Sequence, residues 1–329
     1  YHVDVNSAYL SWTAAYRVCI LGEDLDLRDI PSVIGGSEAE RHGIVLAKSG
    51  SAKRYGIRTG ETLAEARCKC PGLVIVPPDY SLYVSCSKAL VELLKKYFPH
   101  VHQYSIDEAF CRVEGTKGLW GTHTAFAHQL KEEIRRELGF TVNIGVSDCK
   151  LLAKMASEFQ KPDQVHTLFT REIERKMWPL PVSDLFWVGP ATVRKLGALG
   201  IRTIGELAVM DLELLKRHLK KQGEFIWNYA NGRDVSPFLR ELPRNKGYGN
   251  SMTTPFDVTD RETAWQVILS LTETVCARLR ADGMEAACVG ISITDREFRH
   301  GSVQTTLISA TDTTLEIYEA ARSLFDRLW

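Results

Sequence analysis

The chain has 329 residues, 44% hydrophobic and 25% charged, with Lys+Arg 41 balancing Asp+Glu 41. Such values fit a soluble globular protein of several modules. They exclude a uniformly basic, polyanion-coating protein but leave local fields free to differ. Eight cysteines, at 19, 68, 70, 86, 111, 149, 276 and 288, lack paired metal-ligand spacing. With no signal-peptide pattern and no apolar run of membrane-spanning length, this predicts a cytoplasmic protein without a membrane partner. The opening at Tyr1 rather than Met predicts numbering that starts inside a longer protein.

In chain order, residues 2–5 read as a short buried strand and residues 7–20 as a helix that Ser7 is placed to cap. Asp4 thus ends a strand beside a helix N-terminus, a junction suited to phosphate through free N–H groups and the helix dipole. Residues 22–71 are irregular, with a Gly35-Gly36 break, a small strand at 44–47 and helical stretches near Ala52 and at 62–68; they predict a small inserted module. The pattern then gives a strand at 73–76, a helix at 80–97, a strand at 102–106 continuing to 113, a helix at 124–138, a strand at 140–146 and a helix at 149–159. This alternation argues for helices packed on one sheet.

After Pro162 short helices take over. Val188-Gly189-Pro190, a helix to Leu199, and Gly200 to Leu207 form a helix-hairpin-helix pattern. Glycines in such a hairpin let the backbone approach phosphates, which its amides bind without reading sequence. Residues 166–250 hold an excess of Lys and Arg, including Arg194, Lys195, Lys216, Arg217, Lys220 and Lys221. Residues 233–250 read as a linker containing Pro237, Pro243, Gly247 and Gly249. A helix at 261–281, strands at 287–295 and 301–307 and a helix at 314–328 make a second α/β unit that is short of strands.

The chemical signal lies in the carboxylates. Asp107 and Glu108 are adjacent at the end of a β-type run, and Asp4 stands in an apolar run. Neighbouring side chains on a regular strand point to opposite faces, so the pair can share a cluster only where the strand twists or turns. Three close carboxylates repel in a desolvated cleft, and Mg²⁺ relieves this because it is hard, prefers oxygen and also binds substrate phosphates.

His2-Val3-Asp4-Val5-Asn6-Ser7-Ala8-Tyr9, Ser105-Ile106-Asp107-Glu108-Ala109, and Gly145-Val146-Ser147 through Lys150, Ala153-Lys154 and Lys161-Pro162 occur in that order. Together with the hairpin pattern they resemble the Y-family translesion DNA polymerases, the group of bacterial DNA polymerases IV and V. The resemblance implies an α+β, multidomain right hand. Its palm would be residues 1–14 and 74–165, with small fingers at 15–73, a helical thumb with the helix-hairpin-helix at 166–233, a linker at 234–241, and a C-terminal α/β little finger at 242–329 lacking its closing strand.

The implied activity is template-directed nucleotidyl transfer from a dNTP to a primer 3′-hydroxyl, with two Mg²⁺ ions held roughly 3.5–4 Å apart. Asp4, Asp107 and Glu108 would be the catalytic acids and metal ligands, joined by the Val5 carbonyl. Asn6, Ser7, Ala8 and Tyr9 would line the nucleotide, Tyr9 as an aromatic gate against the ribose 2′-hydroxyl, and Lys53 and Lys161 would reach the triphosphate. Val188, Gly189, Arg194 and Lys195 would meet primer-template DNA. Low fidelity, low processivity and a role in DNA damage tolerance at the bacterial nucleoid follow by the same resemblance, as does sliding-clamp binding through a tail that is not in this chain.

The chain departs from the family at three points. Gly50 and Lys53 stand where many members have a Tyr and an Arg, leaving a point charge instead of a bidentate fork on the phosphates. Gly50 and Ser51 would also widen the pocket at the nascent pair. Cys149 replaces an Asn of the third motif. The alternative is a non-catalytic DNA-binding or scaffold relative in a mutagenesis complex. The intact acids weigh against it, as the thumb and little finger weigh against a nucleotide cyclase and Tyr9 against a hairpin-containing nuclease.

Overall fold

The computed structural model describes residues 1–41, 43–113, 121–234 and 245–329. The chain divides into two compact units, Tyr1–Gly36 with Ile44–Glu241, and Ser37–Gly43 with Leu242–Trp329. Most of the proposed linker, residues 235–241, lies outside the described residues.

The first unit opens with β1 (His2–Val5), all four residues buried, and α1 (Ala8–Cys19). There follow β2 (Ser32–Gly35), β3 (Val45–Lys48), α2 (Gly50–Arg54), α3 (Leu63–Lys69) and β4 (Val74–Val76). These strands form a separate sheet in the order β3-β2-β4, antiparallel on one side of β2 and parallel on the other. Strand β2 escapes the sequence pattern because its four residues end on Gly35, where the Gly-Gly pair reads as a break.

Next come α4 (Tyr80–Tyr97), β5 (His100–Gln103), β6 (Glu108–Arg112), α5 (His123–Leu138), β7 (Val142–Val146), α6 (Lys150–Ser157) and β8 (Val165–Thr167). The main sheet runs β5-β6-β1-β7-β8, so β1 lies at its centre, antiparallel to β6 and β7. Val3, Val5, Val142 and Ile144 of this sheet share a core with Trp12 of α1, Tyr83 and Leu90 of α4, and Phe126 and Leu130 of α5. Gly145 lets α6 sit directly on β7: a Cβ there would fall 1.8 Å from the Ala153 carbonyl oxygen.

The predicted strand at 102–113 is in fact two. Tyr104 and Ser105 both donate their N–H to the Glu108 carbonyl, at 2.9 and 3.2 Å, and the chain reverses into an antiparallel β5–β6 pair. Ser7 is also corrected. It occupies the N-cap position of α1 in a left-handed conformation, φ 50°, and its side chain makes no capping bond.

Short helices complete the unit: α7 (Ile173–Lys176), α8 (Pro190–Ala198), α9 (Ile204–Val209), α10 (Leu212–Leu219) and α11 (Lys221–Ala230). Their core takes in Leu151, Leu152 and Met155, which ties α6 to them. In the second unit α12 (Arg261–Ala281) and α13 (Thr314–Leu328) pack with the hairpin β9 (Ala286–Thr294) and β10 (His300–Thr311) through Cys276, Leu279, Val289, Ile317 and Leu324. None of the described helices is long and apolar enough to cross a membrane.

Candidate active site

The register of the central sheet builds the site. Asp4 of β1 pairs directly with Glu108, the first residue of β6, and on its other side with Asn143 of β7. Both carboxylates therefore leave the sheet close together. Glu158, just past the end of α6, joins them: a carboxylate oxygen from each of Asp4, Glu108 and Glu158 lies within 4.8 Å of the others. Asp4 is only 7% exposed.

Two ammonium groups answer this charge. Lys161 donates to Asp4 Oδ1 at 2.7 Å and lies 3.0 Å from Glu158 Oε2. Lys154, 8% exposed, donates to Glu108 Oε1, and its Nζ also faces the rings of Tyr104 at 5.6 Å and Phe186 at 5.1 Å. Burial raises the Asp4 pKa to about 7 against the opposing pull of Lys161. Burial works against the charge on Lys161 too, but its ion pairs with Asp4 and Glu158 prevail and raise its pKa. His2 is fully buried, with Nδ1 2.8 Å from Ser157 Oγ and Nε2 3.7 Å from Glu108 Oε1. Burial, and then the charges of Lys154 and Lys161, hold its pKa well below 6.5.

Asp107 lies in the bend before β6 rather than on the strand, and falls outside the 4.8 Å group. Its backbone carbonyl accepts from Val5 N–H at 3.1 Å, which pins the bend to the end of β1. Ser105 Oγ links the adjacent acids, 2.6 Å from Asp107 Oδ1 and 3.2 Å from Glu108 Oε2. Tyr9 stacks on Tyr83 with centroids 4.4 Å apart and planes at 6°, and meets Tyr80 edge-on at 6.2 Å. Burial and the nearby Tyr80 and Asp107 raise its hydroxyl pKa.

The remaining residues are placed as follows. Asn6 is buried, its amide engaged with Thr141, Asn143 and the backbone of Asp163, and its N–H bonded to the Thr141 carbonyl. Ser7 is exposed at the strand-helix turn and Ala8 is buried in the first turn of α1. Lys53 is exposed on α2, near enough to Lys48 to lower that residue's pKa after burial has done so. Val188 is buried, and Gly189, Arg194 and Lys195 are exposed at and along α8. His2 and Glu158 escaped the sequence reading as site residues, and Lys154 appeared there only as part of a motif. The signal for Lys154 and Glu158 was the 154, 158, 161 spacing, which gathers alternating charges at the end of α6, and that for His2 its place two residues before Asp4 on β1.

Three carboxylates with hard oxygen donors in a partly buried cleft can hold a divalent cation. Residues 3–158 match the family model described as the impB/mucB/samB family, and residues 245–329 match that family's C-terminal domain. The chain is 46% identical over 330 residues to DNA polymerase IV of Clostridium acetobutylicum, an alignment spanning 100% of this chain and 83% of that protein. It is 40% identical to DNA polymerase IV of Acetivibrio thermocellus, across 100% of this chain and 81% of that one. Among solved structures, a Y-family DNA polymerase chimera matches with a TM-score of 0.85 and DinB from Sulfolobus solfataricus with 0.65. Each is 19% identical and covers 99% of this chain and 92% of its own. At that identity they establish the fold alone.

Proposed function

The chain belongs to the impB/mucB/samB family, and on that premise we propose that it is a template-directed DNA polymerase of the translesion type. It would transfer a deoxynucleotide from its triphosphate to a primer 3′-hydroxyl. The observation that carries this reading is the direct pairing of Asp4 with Glu108 at the centre of the main sheet, beside the bend that bears Asp107. Polymerase relatives along the whole chain supply the reaction.

Two Mg²⁺ ions, when bound, supply phosphate neutralisation and a lowered pKa for the primer hydroxyl. Asp4 and Asp107 would hold both ions, Glu108 the primer-side one, and the Val5 carbonyl would be a further ligand. Lys154 and Lys161 offset part of the cluster's negative charge. Lys161 would then pass from Asp4 to triphosphate oxygens, with Lys53 as the second cation. The turn at Ser7 and Ala8 would lie under the phosphates.

Tyr9 would be the sugar gate. Its flat stacking on buried Tyr83 favours one ring position, where a ribose 2′-hydroxyl would meet the ring. Hairpin residues Val188 and Gly189, with Arg194 and Lys195, would hold phosphates without regard to sequence. Primer extension on intact and abasic templates tests the reading. Extension on both is expected, and bypass no better than that of a high-fidelity polymerase would remove the translesion part.

A further inference from the structure

Trp187 precedes Val188 in the hairpin that leads into α8, and its backbone lies in the left-handed region, φ 70°. Bulky residues are seldom found there, whereas glycine adopts it freely. The indole is thus kept against a steric cost, yet it is 58% exposed. It is also held in place. Its centroid is 5.5 Å from Phe186 and 6.2 Å from Phe225, the latter edge-on at 84°, and its carbonyl accepts from Gln222 Nε2 at 3.1 Å. An exposed ring already fixed in orientation loses little entropy when something stacks on it.

Its surroundings identify what it meets. Phe186 faces Lys154, which pairs with Glu108, so the hairpin tip is one residue from contact with the acid cluster. Gly189 begins α8 without a side-chain cap, and a Cβ there would meet nothing within 4 Å. The helix start therefore opens onto free space. Arg194 and Lys195 are exposed on α8, and Lys221 is exposed next to Gln222. An exposed aromatic ring on an element that also carries cations suits a sugar-phosphate backbone, and its link through Phe186 and Lys154 to the acids selects the strand that ends there.

We infer that Trp187 is a DNA-contacting side chain whose indole packs on a deoxyribose of the primer strand near its 3′ end. The inference rests on the polymerase reading and adds a contact that the hairpin glycines cannot make. Fluorescence anisotropy of a labelled primer-template across a salt series compares the whole chain with Trp187→Gly, Trp187→Phe and Lys195→Gln. Trp187→Gly is expected to weaken affinity about 5- to 10-fold. The slope of log affinity against log salt should not change, because no charge is lost. Trp187→Phe keeps a ring and should stay within about 2-fold of the parent. Lys195→Gln should instead flatten the slope. Unchanged affinity in Trp187→Gly, or an equal loss in Trp187→Phe, overturns the contact. A parent chain that binds no primed DNA overturns the polymerase reading instead.

Discussion

Lys161 bonds Asp4 Oδ1 at 2.7 Å from a position beyond the end of α6, across 157 residues of sequence. A buried carboxylate at the centre of a sheet needs a cation, and Lys161 provides one. Lys154 does the same for Glu108. Removing one of these cations should therefore harm the chain most when metal is absent. Lys154→Met is expected to lower the melting temperature in EDTA by roughly 5 °C, and added Mg²⁺ should restore much of the loss. Thermal unfolding with and without Mg²⁺ checks this; an equal loss in both conditions would contradict it.

The raised pKa of Asp4 gives a pH dependence with a definite sign. Burial raises the Asp4 pKa in the folded chain to about 7, against an ordinary value of 3.8. Between those values the folded state binds the extra proton, so this group's contribution to stability falls as pH rises through the window. His2, whose pKa burial holds well below 6.5, works in the opposite sense on stability, because below 6.5 the unfolded chain binds the extra proton and the His2 contribution rises with pH. Metal binding requires the ionised form of Asp4 and should strengthen with pH until it levels off above about 7. Titration with Mn²⁺ across this range measures it, and a flat affinity would count against the ligand role of Asp4.

Gly145 is the contact point between β7 and α6. A methyl group there would meet Ala153 O at 1.8 Å and Ser157 N at 2.7 Å, both backbone atoms. Gly145→Ala must push the helix away and carry Lys154 and Glu158 with it. A loss on the order of 3 kcal/mol in stability and weaker Mn²⁺ binding are expected, read by denaturation and by titration.

Tyr9 offers a test of sugar selection. Tyr9→Ala should relax the preference for dNTPs over rNTPs by about 10- to 100-fold, measured as the ratio of kcat/KM for the two. The ring is only partly buried, so folding should be little affected. Unchanged selectivity would remove the gate.

Much of this was legible in the sequence because local rules governed it. The long helices α4, α12 and α13 carry their own periodicity, and Asp4 announced itself as a charge in an apolar strand. The pairing of Asp4 with Glu108 depends on sheet register, which a single strand does not encode. The bend at Asp107 was hidden because Tyr104 to Glu108 reads as one β-type run, although two amides converging on the Glu108 carbonyl reverse it. Glu158 reaches the cluster only through the close packing of α6 on β7, a tertiary event that no local pattern reports, whereas His2 shares the face of Asp4 by strand alternation.

If the sheet-centre acids and the adjacent bend hold the metals of nucleotidyl transfer, Asp107 and Glu158 play different parts. Single-nucleotide extension of primed DNA in Mg²⁺ by the parent, Asp107→Ala and Glu158→Gln tests this most directly. The parent should extend the primer. Asp107→Ala should lose at least about 10³-fold in rate while keeping its DNA affinity, and Glu158→Gln should retain most of the rate. Extension by Asp107→Ala at the parental rate, or its loss only in Glu158→Gln, would contradict the assignment of Asp107 as a metal ligand.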